Sequence, residues 1–334
     1  MFTEAFDPIA ADLEAALELL RNSEGGQTAF FRPLLADALS HPGKRLRPGL
    51  FLLGARAAGR VRPGHHAVAA ALEMIHLASL AHDDVLDGAR LRRGRPTLNA
   101  RWGNRAAVLF GDFLFAGAFQ LAADGGMERM LPAMTRIVAS LCQGEGMQAN
   151  AKRAPGRITP ALARSVAAAK TAFFFSEACR MGAESAGGPP ARAAALGRFG
   201  MHFGAAYQLT DDVVDAIGSE KTEGKTLRSD LRLGRPTMPL ALLLDRAPEA
   251  AHLLPATDAR RVRKLIALMH RARALEATLD RALAQLRRAD AALIQASAGK
   301  GLRGMEPHFR SVARVLRDRC VTMGRMLERV ETPR

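Results

Sequence analysis

Tryptophan and tyrosine each occur once in these 334 residues, and cysteine three times. No interleaving of aromatic and basic residues marks a single-stranded nucleic-acid surface, and neither zinc-finger spacing nor basic-region heptads occur, so nucleic-acid binding is not the expectation. Cys142, Cys179 and Cys320 are odd in number and far apart, so neither a disulfide framework nor a cysteine metal site is expected. The opening MFTEAFDPIAADLEAALELL has acidic residues within its apolar periodicity and lacks the basic-then-apolar order of a signal peptide. No uninterrupted apolar run is long enough to span a bilayer, and the expectation is a cytoplasmic protein with no transmembrane segment.

What the chain has in quantity is alanine, leucine, arginine and methionine, arranged in long periodic segments poor in β-branched residues. That composition favours helices. With 48% hydrophobic and 24% charged residues the chain reads as globular. Forty-eight basic against thirty-three acidic residues give a formal charge of +15, attractive to polyanions, anionic membranes or highly charged small substrates.

Helical periodicity is read over 7–21, 27–39, 64–87, 100–124, 127–150, 159–184, 191–217, 237–246, 257–271, 273–285, 287–298 and 305–330. Pro and Gly punctuate HPGKRLRPG (41–49), a Gly/Arg-rich connection covers 88–96, and a charged loop covers 220–236. Many helices, short connections and no βαβ alternation predict an all-α single domain over 1–334.

Two segments interrupt this pattern with chemistry. In HDDVLD (82–87), Asp83, Asp84 and Asp87 share one helical face, and in QLTDDVVD (208–215), Asp211, Asp212 and Asp215 repeat the arrangement. Like charges at this spacing repel, the more so at the end of an apolar helix, unless a cation intervenes. Oxygen ligands without cysteine suit Mg²⁺, which combines one or two carboxylates with substrate phosphates and water. Either cluster alone reads equally well as a solvated helix end, whereas the repetition, each with a basic follower, favours a metal-bound diphosphate. Arg92, Arg93 and Arg95, with Lys225 and Arg235 after the second cluster and Lys44 and Arg47 in GKRLR, supply cations for phosphate oxygens.

His76 lies seven residues before Asp83, hence on nearly the same face and about 10 Å down the helix. Between them Ala78 and Ser79 are small, and Leu72 and Ile75 lie a turn or more below. Together these residues describe an apolar channel beneath a polar mouth, suited to a diphosphate head with a hydrocarbon tail. Alternatively the small residues permit close helix packing.

GKRLRP (43–48), HDDVLD (82–87), RRGRPT (92–97), GDFLF (111–115), KTA (170–172), YQLTDDVVD (207–215) and GKTLRSD (224–230) resemble the trans-type polyprenyl diphosphate synthases, in order over about 40–240. The resemblance implies an isoprenoid-synthase-like helical bundle around a deep central cavity, usually in a homodimer, that extends an allylic diphosphate with isopentenyl diphosphate, head to tail. It implies three Mg²⁺ per active site, held on the allylic diphosphate by Asp83, Asp84, Asp87, Asp211, Asp212 and Asp215. Arg92, Lys170, Thr171, Gln208 and Lys225 assist on that side, with Arg235 standing where many members have lysine. Lys44, Arg47, His76 and Arg93 receive isopentenyl diphosphate. Small Ala78 and Ser79, where a bulky aromatic commonly stops growth at fifteen carbons, imply a C20 or longer product, with Leu72 and Ile75 next along the chain-length wall. Release of so apolar a product implies transient membrane contact, and closure over 220–235 would exclude water.

Two other readings stand beside this one. A class I terpene cyclase also ionises a prenyl diphosphate with Mg²⁺ but needs no isopentenyl diphosphate. A helical regulatory subunit keeps the fold without turnover, although six clustered carboxylates cost electrostatic energy without a cation.

Overall fold

The computed structural model of the chain describes residues 2, 4–22, 29–40, 43–92, 94–152, 155–218, 228–299 and 301–331. Apart from a two-stranded ladder, its regular structure is helical, and the chain divides into two compact units.

The first unit comprises Met1–Val138, Phe175–Gly200 and Ala291–Val312. After a 3₁₀ turn at Glu4–Ile9 come α1 (Ala10–Asn22), α2 (Phe31–Leu39), α3 (Leu46–Ala58) and α4 (Pro63–Leu86). Helix α3 falls partly in the stretch read as a Pro/Gly break. Pro48 is tolerated because it sits in the first turn, where the missing N–H has no intrahelical partner to lose. The remainder is buried nearly all round, from Leu50 to Ala55, so it shows no amphipathic period to read. Its glycines are close-packing sites: a Cβ on Gly49 would fall 2.6 Å from the Phe6 ring, and one on Gly54 2.8 Å from the Cys179 carbonyl oxygen.

Helix α4 begins at Pro63, whose fixed φ suits a first helical position. It ends in a Schellman arrangement: Gly88 takes φ 61°, and the Ala89 N–H donates to the Asp84 carbonyl at 2.9 Å. The chain then makes a minimal antiparallel ladder, β1 (Leu91–Arg92) with β2 (Arg95–Pro96), followed by α5 (Leu98–Trp102) and α6 (Asn104–Asp124). The helical pattern read as continuous from 100 breaks at Gly103, which adopts φ 84°. Helix α6 lies along α4, brought close by small residues: a Cβ on Gly111 would fall 2.2 Å from His82 Nε2, and one on Gly117 2.7 Å from the Met74 methyl.

By length and mean hydropathy (1.7 over its best window) α6 would also suit a membrane span, a possibility the interrupting charges hid in the sequence. Its inner stripe, Ala107, Phe110, Leu114 and Ala118, is fully buried, while Val108 and Leu109 are exposed.

The second unit comprises Ala139–Phe174, Met201–Asp290 and Ala313–Arg334. Its elements in chain order are the end of α7 (Leu131–Lys152), α8 (Pro160–Ala167), a π-helical turn at Ala168–Ala172, the first residues of α9 (Phe173–Ser185) and the second half of α10 (Pro190–Ile217). Short α11 (Ser229–Leu233), α12 (Met238–Arg246), α13 (Ala259–Arg271), most of α14 (Ala274–Ser297) and most of α15 (Glu306–Glu331) complete it. The two helices expected over 273–298 are one. Phe203, Val213, Val214, Leu240, Leu243, Leu265, Leu275 and Leu286 form its interior.

Candidate active site

The first acidic cluster occupies the C-terminal end of α4. Backbone carbonyls already make such an end negative, so three carboxylates there intensify the demand for a cation. The three are not equivalent. Asp83 and Asp87 are half-buried, one turn apart, while Asp84 is only 5% exposed. Asp84 holds Arg92 in a fork: Nε and one terminal nitrogen donate to Oδ1 at 3.0 and 2.8 Å, and Nε lies 3.2 Å from Oδ2. The β1–β2 ladder and its turn thus return Arg92 to the helix end. Thr97 secures the return by donating its hydroxyl to the Ala89 carbonyl at 2.7 Å. Arg93 lies outside the described residues.

Further down α4, His76 is half-buried and Ser79 donates its hydroxyl to the His76 carbonyl at 2.8 Å. Leu72, Ile75 and Ala78 are fully buried in the packed interior, whereas Ser79 keeps exposed surface. Before α3, Lys44 is exposed and the Arg47 guanidinium lies 5.0 Å from the centroid of the Phe175 ring. Between these two, Arg45 adopts a left-handed φ of 51°, and its guanidinium pairs at 2.5 Å with Glu73, a carboxylate 3% exposed on α4. The sequence shows Arg45 only as one of the clustered cations of GKRLR, without a role of its own, and Glu73 was not singled out. The available signal was an isolated acid inside an apolar helix, which requires a partner.

The second cluster ends α10. Asp211 is half-buried, and Asp212 and Asp215 are buried. Asp212 accepts from Gln208 Nε2 at 2.8 Å and from the Met238 N–H at 3.1 Å. Thr171 donates in turn to Gln208 Oε1 at 2.7 Å, so one chain of hydrogen bonds joins the π turn, α10 and the start of α12. Burial, reinforced by the neighbouring charge of Asp230, pushes the Asp212 carboxyl well above its ordinary range.

Asp215 organises the entry to α11. It accepts from the Ser229 hydroxyl at 3.2 Å and the Asp230 N–H at 3.1 Å. Arg235 is turned to Asp230 at 2.7 Å. Asp230 is a further carboxylate of the second cluster that spacing alone did not reveal. Lys225 and the first half of the segment expected to close over the site, 220–227, lie outside the described residues. Lys170 projects from the π turn and pairs with Glu145 of α7.

Each unit thus carries carboxylates at a helix C-terminus, one of them already holding an arginine or an amide. Among the described residues no group of three or more His, Cys, Asp or Glu side chains is placed to hold a metal ion by itself. An all-carboxylate, partly open donor set fits Mg²⁺, which leaves much of its octahedral shell to phosphate oxygens and water. Cysteine plays no part in these clusters: burial raises the thiols of Cys179 and Cys320, and Cys142 is on the surface.

Residues 29–269 match the family model described as Polyprenyl synthetase. The chain is 37% identical over 283 residues to the heptaprenyl diphosphate synthase component 2 of Geobacillus stearothermophilus, covering 83% of this chain and 86% of that one. It is also 37% identical over 234 residues to the all-trans-nonaprenyl-diphosphate synthase (geranyl-diphosphate specific) of Rhodobacter capsulatus, covering 70% and 71%. Among solved structures, a decaprenyl diphosphate synthase from Rhodobacter capsulatus superposes with a TM-score of 0.84 at 32% identity over 99% of both chains. A polyprenyl synthase from Caulobacter crescentus CB15, complexed with calcium and isoprenyl diphosphate, gives 0.86 at 32% identity over 96% and 97%. The chain belongs to the polyprenyl synthetase family, with that family's all-α fold and its prenyltransferase activity.

Proposed function

We propose that this prenyltransferase condenses an allylic diphosphate with isopentenyl diphosphate, head to tail, to a trans-polyprenyl diphosphate of C20 or longer. The observation that carries the reading is a carboxylate cluster at the C-terminal end of each of two long apolar helices, in a chain of this family.

Asp83, Asp87 and Asp211, whose side chains retain exposure, are the proposed Mg²⁺ ligands. Asp84, Asp212 and Asp215 hold Arg92, Gln208 and the start of α11 in place. Bound there, Mg²⁺ supplies neutralisation of the charge that develops on the leaving diphosphate. Arg92 and Lys170 donate to its oxygens, together with Lys225, and Arg235 steadies the second cluster through Asp230. Breaking the allylic C1–O bond leaves the electron pair on diphosphate. The terminal alkene of isopentenyl diphosphate, oriented by Lys44, Arg47, His76 and Arg93, then bonds to C1. Loss of the adjacent proton to the departing diphosphate restores a double bond. No nucleophilic side chain is required.

Product length rests on Ser79, the one position of the expected wall that keeps exposed surface. A second copy of the chain is the proposed partner. Val108 and Leu109 on α6 are 39% and 44% exposed, Trp102 39% and Phe30 49%, and stacking of Phe31 on Phe113 at 4.4 Å ties α2 to α6 beside them. Such apolar surface is expected at an obligate interface between subunits.

Asp83→Asn and Asp211→Asn test the reading. Each is expected to lower turnover by about 10²-fold or more while leaving the helical circular dichroism unchanged. Magnesium-dependent condensation at the original rate in both variants contradicts it.

A further inference from the structure

Lys170 lies in a tightly built setting on α7 that its role as a phosphate ligand does not by itself explain. The π turn Ala168–Ala172 carries it, and Ser140 of α7 donates to the Ala169 carbonyl at 2.9 Å. The Lys170 stem lies directly on the α7 backbone, since a Cβ on Gly144 would fall 2.4 Å from Lys170 Cγ. Its ammonium forms an ion pair with Glu145, both side chains being about four-fifths buried (20% and 23% exposed). Gln148, 6% exposed, closes the triangle: its Oε1 accepts from Lys170 Nζ at 3.4 Å and its Nε2 donates to Glu145 Oε2 at 3.3 Å. Gly144, Glu145 and Gln148 therefore present one helical face to a single lysine.

An ammonium has three donors; here one is directed at Gln148, and the ion pair with Glu145 balances the charge. A diphosphate approaching Lys170 meets a cation already neutralised by a carboxylate of the same chain. Neighbouring Thr171 is bonded through Gln208 to Asp212, which fixes the backbone around Lys170 and leaves the side chain as the part free to change partner.

We propose that Glu145 is a positioning residue that exchanges Lys170 with the substrate. The lysine rests on the Glu145 carboxylate in the absence of diphosphate and moves to phosphate oxygen when diphosphate binds. Return to Glu145 helps the product diphosphate leave. The proposal rests on the assignment of Lys170 to the allylic diphosphate. It deepens that assignment by naming an intramolecular competitor for the same anion site.

Calorimetric titration of inorganic diphosphate into the full-length protein, with and without Mg²⁺, tests this. Glu145→Gln removes the competing charge and keeps the shape, and is expected to tighten diphosphate binding roughly three- to tenfold. It also lowers KM for the allylic substrate while leaving that for isopentenyl diphosphate unchanged. Glu145→Asp restores the charge and the wild-type affinity. Lys170→Met weakens binding, and adding Glu145→Gln to it has no further effect. Gln148→Leu loosens the same triangle and gives a smaller tightening, which keeps the test available if Glu145→Gln fails to fold. Unchanged or weaker binding in Glu145→Gln overturns the exchange, as does equal tightening in the Lys170→Met background. Undiminished binding in Lys170→Met instead removes Lys170 from the diphosphate, and the exchange with it.

Discussion

Asp84 shows how much of the site's chemistry is decided by one side chain's neighbours. Its carboxylate is engaged by the Arg92 fork, so the cluster's apparent threefold symmetry in sequence resolves into two half-buried acids and one arginine holder. Lysine offers no such planar fork. Arg92→Lys is therefore expected to lower kcat/KM for the allylic substrate by about 10- to 100-fold without changing stability, as read by steady-state kinetics and thermal melting. At the chain-length wall, sequence placed Ala78 and Ser79 together, but burial separates them. Ser79→Phe brings a ring into exposed space and is expected to shorten the product, measured by chromatography of the prenyl alcohols. Ala78→Phe overfills a packed interior and is expected to cost about 1–3 kcal/mol, measured by denaturant unfolding. The aspartate clusters were legible because charge repulsion at i, i+3 and i+4 demands an explanation. Glu145 and Glu73 were not, because each acquires meaning only from a partner distant in sequence.

Among the elements, the long helices α4, α6 and α10 were legible from their periodicity to within a few residues, whereas α3 was not. A helix buried on every side has no polar face, and Pro48, Gly49 and Gly54 resemble breakers until their close contacts are seen. Gly54→Ala is expected to destabilise the protein by about 1–3 kcal/mol, since the new methyl would meet the Cys179 carbonyl. The π turn was equally hidden, because one residue more per turn leaves almost no mark on hydrophobic spacing. Helix α9 carries a titration of its own. Burial raises the Glu177 carboxyl, but hydrogen bonds and charge from Arg180 and Arg136 outweigh it and carry the group below its ordinary 4.5. The group therefore contributes stability above about that pH, and loses it as pH falls through the lower folded value. Glu177→Gln is expected to cost about 1–3 kcal/mol at neutral pH and to flatten the acid limb of the stability curve below 4.5. An acid limb identical to that of the parent protein contradicts the assignment.

For the whole molecule, charge and apolar surface point to different partners. The formal +15 suits a chain that collects multiply charged diphosphates, and the exposed face of α6 suits a second subunit. The proposed pairing of two copies predicts twice the chain mass for the parent protein in light scattering coupled to size exclusion, and the mass of a single chain for Leu109→Glu. Chain extension itself is tested most directly by incubating purified wild-type protein with labelled isopentenyl diphosphate and an allylic primer, with and without Mg²⁺, and sizing the products. The account predicts products of twenty carbons or more that require both isopentenyl diphosphate and Mg²⁺. A product formed from the allylic diphosphate alone, or growth that stops at fifteen carbons with isopentenyl diphosphate in excess, contradicts it.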